Sequence, residues 1–307
     1  MRNPISKRTF FKNISRDYEL YILILPVLIY FIIFHYVPMI GVQLAFKEFD
    51  PRMGIFGNEW VGLKYFQRFI SSYDFTRLIK NTFGISIYSL LVGFPAPIIL
   101  AVMLNEVVHK PFKKAVQTVT YAPHFISTVV FVGMLITFLS PSSGIVNILL
   151  QKIGIAPIHF MQEPDFFKTI YVFSGVWQGA GWGSIIYIAA LSSVPPELYE
   201  AARVDGITKI KKIWYIDLPC ILPTILIMFI LQIGNIMNVG FEKVFLMQNS
   251  MNVSSSQVIS TYVYNVGLVG IQYSYSTAIG LFNSLINFVL LITSNLLVKK
   301  AGGSSLW

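Results

Sequence analysis

The chain has 307 residues, of which 55% are hydrophobic and only 12% are charged, with a mean hydropathy of +0.65. This balance excludes an ordinary water-soluble domain and indicates an integral membrane protein. The net charge of +9 does not indicate nucleic-acid binding, because the Lys and Arg residues are scattered among loops instead of being gathered on one soluble face.

Residues 1–20 form a basic lead in which Phe10, Phe11, Ile14 and Tyr18 recur at helical spacing. Two interpretations stay open for this lead: a helix lying in the cytoplasmic membrane interface, or a disordered tail that follows the positive-inside rule. The first apolar run begins only at Tyr21 and lacks a small-residue cleavage site. We therefore expect a retained span here and not a cleaved signal peptide.

Six apolar stretches reach the length of about 20 residues that a helix needs to cross the hydrocarbon core of a membrane. The stretches are 21–42, 81–104, 115–139, 167–191, 220–239 and 275–298. The sequence thus predicts an all-α membrane protein with six transmembrane helices in a single domain, 21–307. Prolines inside these spans are expected to bend or break them. These prolines are Pro26, Pro38, Pro95, Pro97 and Pro123.

The segments between the spans predict how the chain is oriented. With a cytoplasmic N-terminus, the inside segments hold 14 of the 23 Lys and Arg residues, which favours cytoplasmic N- and C-termini. The outside segments, 43–80, 140–166 and 240–274, are rich in Gly, Pro, Ser, Asn and aromatic residues, and we expect short interfacial helices and turns in them. Cys220 is the single cysteine, so no internal disulfide is possible.

Several kinds of chemistry lack their residues in this chain. The predicted spans carry no Asp or Glu at depth, which disfavours a carrier driven by protons or sodium. No Gly-Lys pair occurs, so the chain has no P-loop of its own and energy must come from another polypeptide. The four histidines lack metal-ligand spacing, so neither a metal site nor a catalytic site is predicted.

The segment 192–219 is a polar island between the fourth and fifth spans. Pro196 suits the first position of a helix, and Gly206 is suited to end that helix about two and a half turns later. Thr208 can cap a second short helix, predicted over residues 209–215. This pattern of helix, tight turn and helix is typical of a docking device for another protein.

The island resembles the Glu-Ala-Ala loop of ATP-binding-cassette importer permeases. The resemblance rests on Glu200-Ala201-Ala202, Gly206, Leu218-Pro219 and Pro223. It implies that the island is the coupling helix that sits in a groove of the ATP-hydrolysing subunit. The residues expected to make this contact are Glu200, Ala201, Ala202, Asp205 and Gly206. Ile207 stands where alanine is frequent in that family.

The resemblance extends to the polysaccharide or multiple-sugar permeases typical of Gram-positive bacteria. The segments that carry it are 60–66, 81–82, 101–106, 117–127, 181–182 and 198–199. It implies a heterodimer with a related second permease, two ATPase subunits and an extracellular lipid-anchored solute-binding protein. ATP and Mg²⁺ would then bind to the ATPase subunits, and this chain would need no cofactor.

Polar and aromatic side chains on the apolar spans are candidates for the substrate path, because sugars offer hydroxyl groups to hydrogen-bond and C–H faces to stack on rings. The candidates are Trp177, Gln178 and Trp182 in the fourth span, and Gln232, Asn235 and Asn238 in the fifth. Helical spacing places Gln178 with Trp182, and the three amides together, on shared faces. The alternative is that the amides join helices and the tryptophans anchor spans at the interface. By resemblance, Trp182 and Asn235 match sugar-site positions of maltose-type permeases.

These observations predict the permease subunit of a type I ATP-driven importer for an oligosaccharide or another complex sugar. One alternative is an importer of the same kind for a different solute, such as a peptide or an amino acid. A second alternative, from another class, is a membrane-embedded receptor or scaffold that transports nothing.

Overall fold

The computed structural model describes residues 18–306. The basic lead therefore lies almost wholly outside the described residues, and both interpretations of it stay predictions. The helices in chain order are α1 (Tyr18–Phe46), α2 (Lys64–Ile70), α3 (Tyr73–Asn105), α4 (Lys110–Phe125), α5 (Thr128–Phe138), α6 (Ile145–Lys152), α7 (Pro164–Ser192), α8 (Pro196–Val204), α9 (Lys209–Gly234), α10 (Phe241–Met247), α11 (Val253–Ser256), α12 (Ile259–Tyr264) and α13 (Tyr273–Lys300). Within the described range the only extended pairing is an isolated bridge between Lys47 and Trp60. The predicted all-α fold is confirmed.

Each predicted span corresponds to a helix or to a bent pair of helices. The helices α1, α3, α9 and α13 are long and apolar enough to cross a membrane, and α4 with α5 forms a fifth candidate that bends by 102°. The fourth predicted span is α7, which has 29 residues and so is long enough to cross. Glycines and polar side chains make α7 less apolar than the other candidate spans, and four of these residues line the second cavity described below: Gly175, Gln178, Gly179 and Gly183.

The prolines act differently from one span to the next. Pro123 lies at the break between α4 and α5, as predicted, and the Ser127 side chain caps the new helix by accepting the Val130 N–H. At Pro95 the regular α-helix of α3 is interrupted for one residue, Phe94, and Pro95 begins the second half, where a missing N–H is harmless. The two halves still form one candidate span. In α1 a π-helical turn, Ile32–Tyr36, comes just before Pro38.

The fifth span departs from the prediction at both ends. Instead of a separate short helix over residues 209–215, α9 runs without interruption from Lys209 through a π-helical turn, Ile213–Asp217. That turn shifts the backbone hydrogen-bond register, which accommodates Pro219 without a break. The helix then ends at Gly234, five residues earlier than the predicted boundary at 239.

The fold is organised around α7, which packs along the second half of α3 and against α4. Close approach to α4 requires Gly181, because a Cβ atom there would lie 2.0 Å from the Thr120 carbonyl oxygen. Apolar clusters hold the two ends of the bundle, one around Ile85 and Phe131 and the other around Tyr187 and Ile221. The region between these clusters contains the cavities described below.

Candidate functional site

The helix α8 ends in a glycine turn that fixes the path of the loop. Gly206 has φ +64°, a left-handed conformation that glycine adopts without steric cost. The Gly206 N–H donates to the Arg203 carbonyl at 3.2 Å, and the Ile207 N–H donates to the Ala202 carbonyl at 3.1 Å. These two bonds form a Schellman motif, which satisfies carbonyl groups left free at the helix end.

A second cap follows directly, so that two helices meet at a tight turn. The Thr208 hydroxyl accepts the Lys211 N–H at 3.4 Å at the start of α9. The predicted sequence of helix, tight turn and helix is therefore present, although its second helix continues into the fifth span. Ile207, which replaces the frequent alanine, is half-buried in the turn, where its backbone N–H completes the Schellman motif.

The outer face of α8 is open to solvent. Glu200, Ala201 and Asp205 are exposed, and so is Gly206. Ala202, predicted to make the same contact, is 6% exposed and faces inward, so it packs under the helix and not on its open face. Sequence reasoning missed Val204, which is 88% exposed and gives the open face an apolar contact point.

Two polar contacts tie the loop to the spanning helices. The Tyr199 hydroxyl donates to Oδ1 of the fully buried Asp217 at 2.7 Å. Burial raises the pKa of the Tyr199 phenol, and the hydrogen bond to Asp217 acts in the same direction. Lys212 forms an ion pair with Glu106 at the end of α3, and its ammonium lies 5.1 Å from the centre of the Tyr199 ring. These contacts join α8 to α9, and α9 to the end of α3.

Two adjoining cavities lie between α3, α7 and the end of α9. Their volumes are about 370 and 410 Å³, and they share Ser89, Tyr171, Met228 and Gln232 as lining residues. Each is large enough for part of an oligosaccharide. Asn235 and Asn238 line the first cavity, and Gln178 and Lys243 line the second.

The structure thus brings together four of the six predicted substrate residues: Gln178, Gln232, Asn235 and Asn238. The expectation that the last three share a helix face is wrong, because α9 ends at Gly234 and Asn235 caps it. A turn closed by the hydrogen bond from Asn238 N–H to the Asn235 carbonyl, 2.9 Å, brings them together instead.

Two further amides, absent from the sequence prediction, support this turn. Asn283 and Asn287 on α13 both donate to the Asn238 side-chain oxygen at 3.1 Å. Asn287 also accepts the Met237 N–H at 3.0 Å. Their sequence signal was polar side chains at helical spacing in the sixth span, four residues apart.

The two tryptophans lie outside these cavities, beside the break between α4 and α5. The Trp182 ring stacks on His124 with centroids 4.5 Å apart, and the Trp177 ring stacks on Phe131 at 5.5 Å. Gln178 does share the Trp182 face, since its side-chain amide donates to the Ile126 carbonyl at 3.1 Å. About half of each tryptophan side chain remains exposed in the single subunit.

No cluster of three or more His, Cys, Asp or Glu side chains that could hold a metal ion occurs in the part of the chain that the structure describes. The chemistry of the cavities is instead that of neutral amides and hydroxyls, with one ammonium. Such a lining holds polyhydroxylated molecules by hydrogen bonds of about 1 kcal/mol each.

Comparison with known proteins places the chain in a family. Residues 93–302 match the model of the binding-protein-dependent transport system inner membrane component. The polygalacturonan/rhamnogalacturonan transport system permease protein YteP of Bacillus subtilis is 42% identical over 301 residues, covering 98% of this chain and 94% of the relative.

Two solved structures of a bacterial alginate ABC transporter are similar over nearly the whole chain. One, of the transporter for import of the acidic polysaccharide alginate, has a TM-score of 0.88 and 44% identity, covering 95% of this chain and 98% of that one. The other, in complex with an alginate pentasaccharide-bound periplasmic protein, has a TM-score of 0.89 and 43% identity, with 96% and 99% covered. The chain belongs to the family of inner-membrane components of binding-protein-dependent transport systems, and it is a membrane-spanning transport subunit, not an enzyme.

Proposed function

We propose that this chain is the permease subunit of an ATP-driven importer that translocates an oligosaccharide or another complex sugar. The observation that carries the proposal is the exposed loop around α8, joined through α9 to a polar cavity among the spanning helices. A loop that docks an ATPase and a cavity that holds a solute are the two parts that an importer must couple. The names of the similar proteins support a sugar as that solute.

The partners follow from this role. A second, related permease faces this chain across the translocation path, two ATPase subunits bind ATP and Mg²⁺, and an extracellular binding protein delivers the sugar. The similar structure with a loaded periplasmic protein supports delivery of this kind. The lipid anchor of the binding protein and the Gram-positive source are expectations from the same resemblance, and the Bacillus relative agrees with the latter.

The coupling step is carried by the open face of α8. Glu200 is exposed and forms no ion pair with another described residue, so its carboxylate is available for charge-assisted hydrogen bonds in the ATPase groove. Ala201 lets the two proteins approach closely, and Gly206 holds the turn. Movement of the ATPase then reaches α9 and α3 through the Tyr199–Asp217 and Lys212–Glu106 contacts.

In the cavity the physical requirement is weak and reversible holding. The amides of Gln178, Gln232 and Asn235 can each exchange hydrogen bonds with sugar hydroxyls. Trp182 lies outside the two cavities, and its side chain is 45% exposed, which leaves it free to contact a sugar on the path to them. Contacts of about 1 kcal/mol each bind a sugar without trapping it.

The test is reconstitution of the chain with its partner permease, ATPases and binding protein in proteoliposomes, followed by a glycan screen for stimulated ATP hydrolysis and uptake. We expect an oligosaccharide to stimulate both activities. If only peptides or amino acids stimulate ATP hydrolysis and uptake, the chain belongs to an importer of that solute and not of a sugar. Absence of any ATPase that co-purifies with the chain would favour a receptor or scaffold.

We further propose that both termini are cytoplasmic, because the α8 loop must face the ATPase. In a Cys220→Ser background, cysteines at Ser142 and Ser250 should react with an impermeant thiol reagent added outside intact cells. A cysteine at Lys211 should react only after the cells are opened. Labelling of Lys211 from outside would overturn the orientation.

A further inference from the structure

The second cavity contains a lysine in an unusual position. Lys243 lies on the short helix α10, outside the spanning helices, and is 9% exposed. Its ammonium group lies 2.9 Å from the Tyr171 carbonyl oxygen, to which it donates, and 3.4 Å from the position that a Cβ atom of Gly175 would occupy. Gly175 therefore leaves space for the ammonium on the cavity side of α7.

This ammonium has aromatic neighbours but no acidic partner. It lies 4.7 Å from the centre of the Tyr171 ring and 5.2 Å from that of Phe131. Among the described residues no ion pair includes Lys243, and the two cavities have no Asp, Glu or His among their described lining residues. A buried cation without a counter-ion is costly, and a buried ionisable side chain that lines a cavity is a candidate for binding a ligand.

Lys47 shows what a buried lysine with a structural role looks like in the same protein. It is 3% exposed and donates to two loop carbonyls, those of Ile55 at 3.3 Å and Phe56 at 3.2 Å. Its ammonium lies 5.1 Å from the Trp60 ring, and it lines neither of the two cavities. Lys243 differs because its ammonium donates to a single backbone carbonyl, that of Tyr171. An ammonium has three N–H donors, so the others can bind a group in the cavity.

We propose that Lys243 binds a carboxylate of the solute, so that the substrate class is an acidic oligosaccharide built from uronic acids. This inference rests on the proposed importer function. The ammonium supplies the missing charge match for a sugar acid, while the Gln178 and Gln232 amides next to it bind neighbouring hydroxyl groups. Tyr171 positions the lysine through two groups. Its backbone carbonyl accepts a hydrogen bond from the Lys243 ammonium, and its hydroxyl accepts the Gly240 N–H at 3.2 Å just before α10.

The test compares uptake of a galacturonate trisaccharide with uptake of its neutral methyl ester, using the complete complex in proteoliposomes. Lys243→Met should lower uptake of the acid at least about tenfold relative to wild type and leave uptake of the ester within about twofold. Lys243→Arg should keep most of the uptake of the acid. Because one binding protein delivers both sugars, its own preference cancels in each ratio of mutant to wild type.

Lys47→Met is the matched control, a second buried lysine whose loss should affect both sugars equally. A further measurement uses Lys243→Cys in the Cys220→Ser background. Aminoethyl methanethiosulfonate, which restores an ammonium, should restore uptake of the acid, whereas methyl methanethiosulfonate should not.

Equal losses of acid and ester uptake in Lys243→Met would overturn the proposal. So would two results with Lys243→Cys: acid uptake restored by the neutral reagent, or acid uptake not restored by the charged reagent. If Lys243→Met imports both the ester and the acid as well as wild type does, the importer function stands but the proposed carboxylate site is refuted. Failure of wild type to import any sugar would instead overturn the proposed function itself.

Discussion

Replacement of Gly206 tests whether the backbone turn after α8 is what couples the chain to the ATPase. A Cβ atom at this position would meet no other atom of the chain within 4 Å, so the substitution creates no clash inside the subunit. The cost comes from the left-handed conformation at φ +64°, which disfavours an L side chain by roughly 1–2 kcal/mol.

That cost decides how much of the loop keeps its docking geometry. A free-energy change of roughly 1–2 kcal/mol shifts the population of the native turn about 5- to 30-fold. We expect Gly206→Ala to reduce sugar-stimulated ATP hydrolysis and co-purification of the ATPase, and Gly206→Val to reduce them further, because a β-branched residue is more restricted. Gly206→Asn should retain more function than Gly206→Ala, since asparagine tolerates this conformation better.

The chain contains a matched control in a segment that is predicted to lie on the other side of the membrane. Gly154, after α6, has φ +82° and also meets nothing within 4 Å. As at Gly206, two backbone hydrogen bonds end the helix. The Gly154 N–H donates to the Gln151 carbonyl at 3.0 Å, and the Ile155 N–H donates to the Leu150 carbonyl at 3.0 Å. Gly154→Ala should therefore cost similar stability while the ATPase stays bound. A normal ATPase complex with Gly206→Ala, or greater damage from Gly206→Asn, would refute the backbone argument.

Three more predictions follow from the loop and the cavities. Tyr199→Phe removes the hydrogen bond to buried Asp217, which should cost about 1–3 kcal/mol and weaken ATPase coupling without lowering sugar specificity, as measured by ATPase stimulation across several sugars. Asn235→Ala and Trp182→Ala should each slow uptake at sub-saturating sugar while the complex assembles normally, and unchanged rates at matched membrane levels would make both side chains packing residues. Burial lowers the pKa of the Lys243 ammonium to about 8, so raising the pH from 7 to 9 removes its charge; uptake of the galacturonate trisaccharide should fall in wild type but not in Lys243→Arg.

Features that depend on neighbours in sequence were predictable. Composition alone indicated the membrane, and each of the six apolar stretches became a helix or a bent pair of helices. The turn at Gly206 and the cap at Thr208 were also predictable, because a helix end is determined by the few residues around it. The break at Pro123 has the same local origin.

The candidate site depended on contacts between distant segments. The sequence identified Gln232, Asn235 and Asn238 but for the wrong reason, because it placed all three on one helix face. The helix α9 ends at Gly234, so a turn brings them together instead, and amides of α13 support that turn.

Lys243 gave no local signal, because one lysine in an outside segment is ordinary. Its burial arises when α10 packs against Tyr171, 72 residues earlier in the chain. The sequence by itself thus determined the membrane-spanning helices and the turn that follows α8, because apolar length, caps and turns act over a few residues. Only the tertiary structure decided which polar groups meet in the cavity and which buried cation has no acidic partner among the described residues, because desolvation and charge pairing depend on every segment that folds around a group.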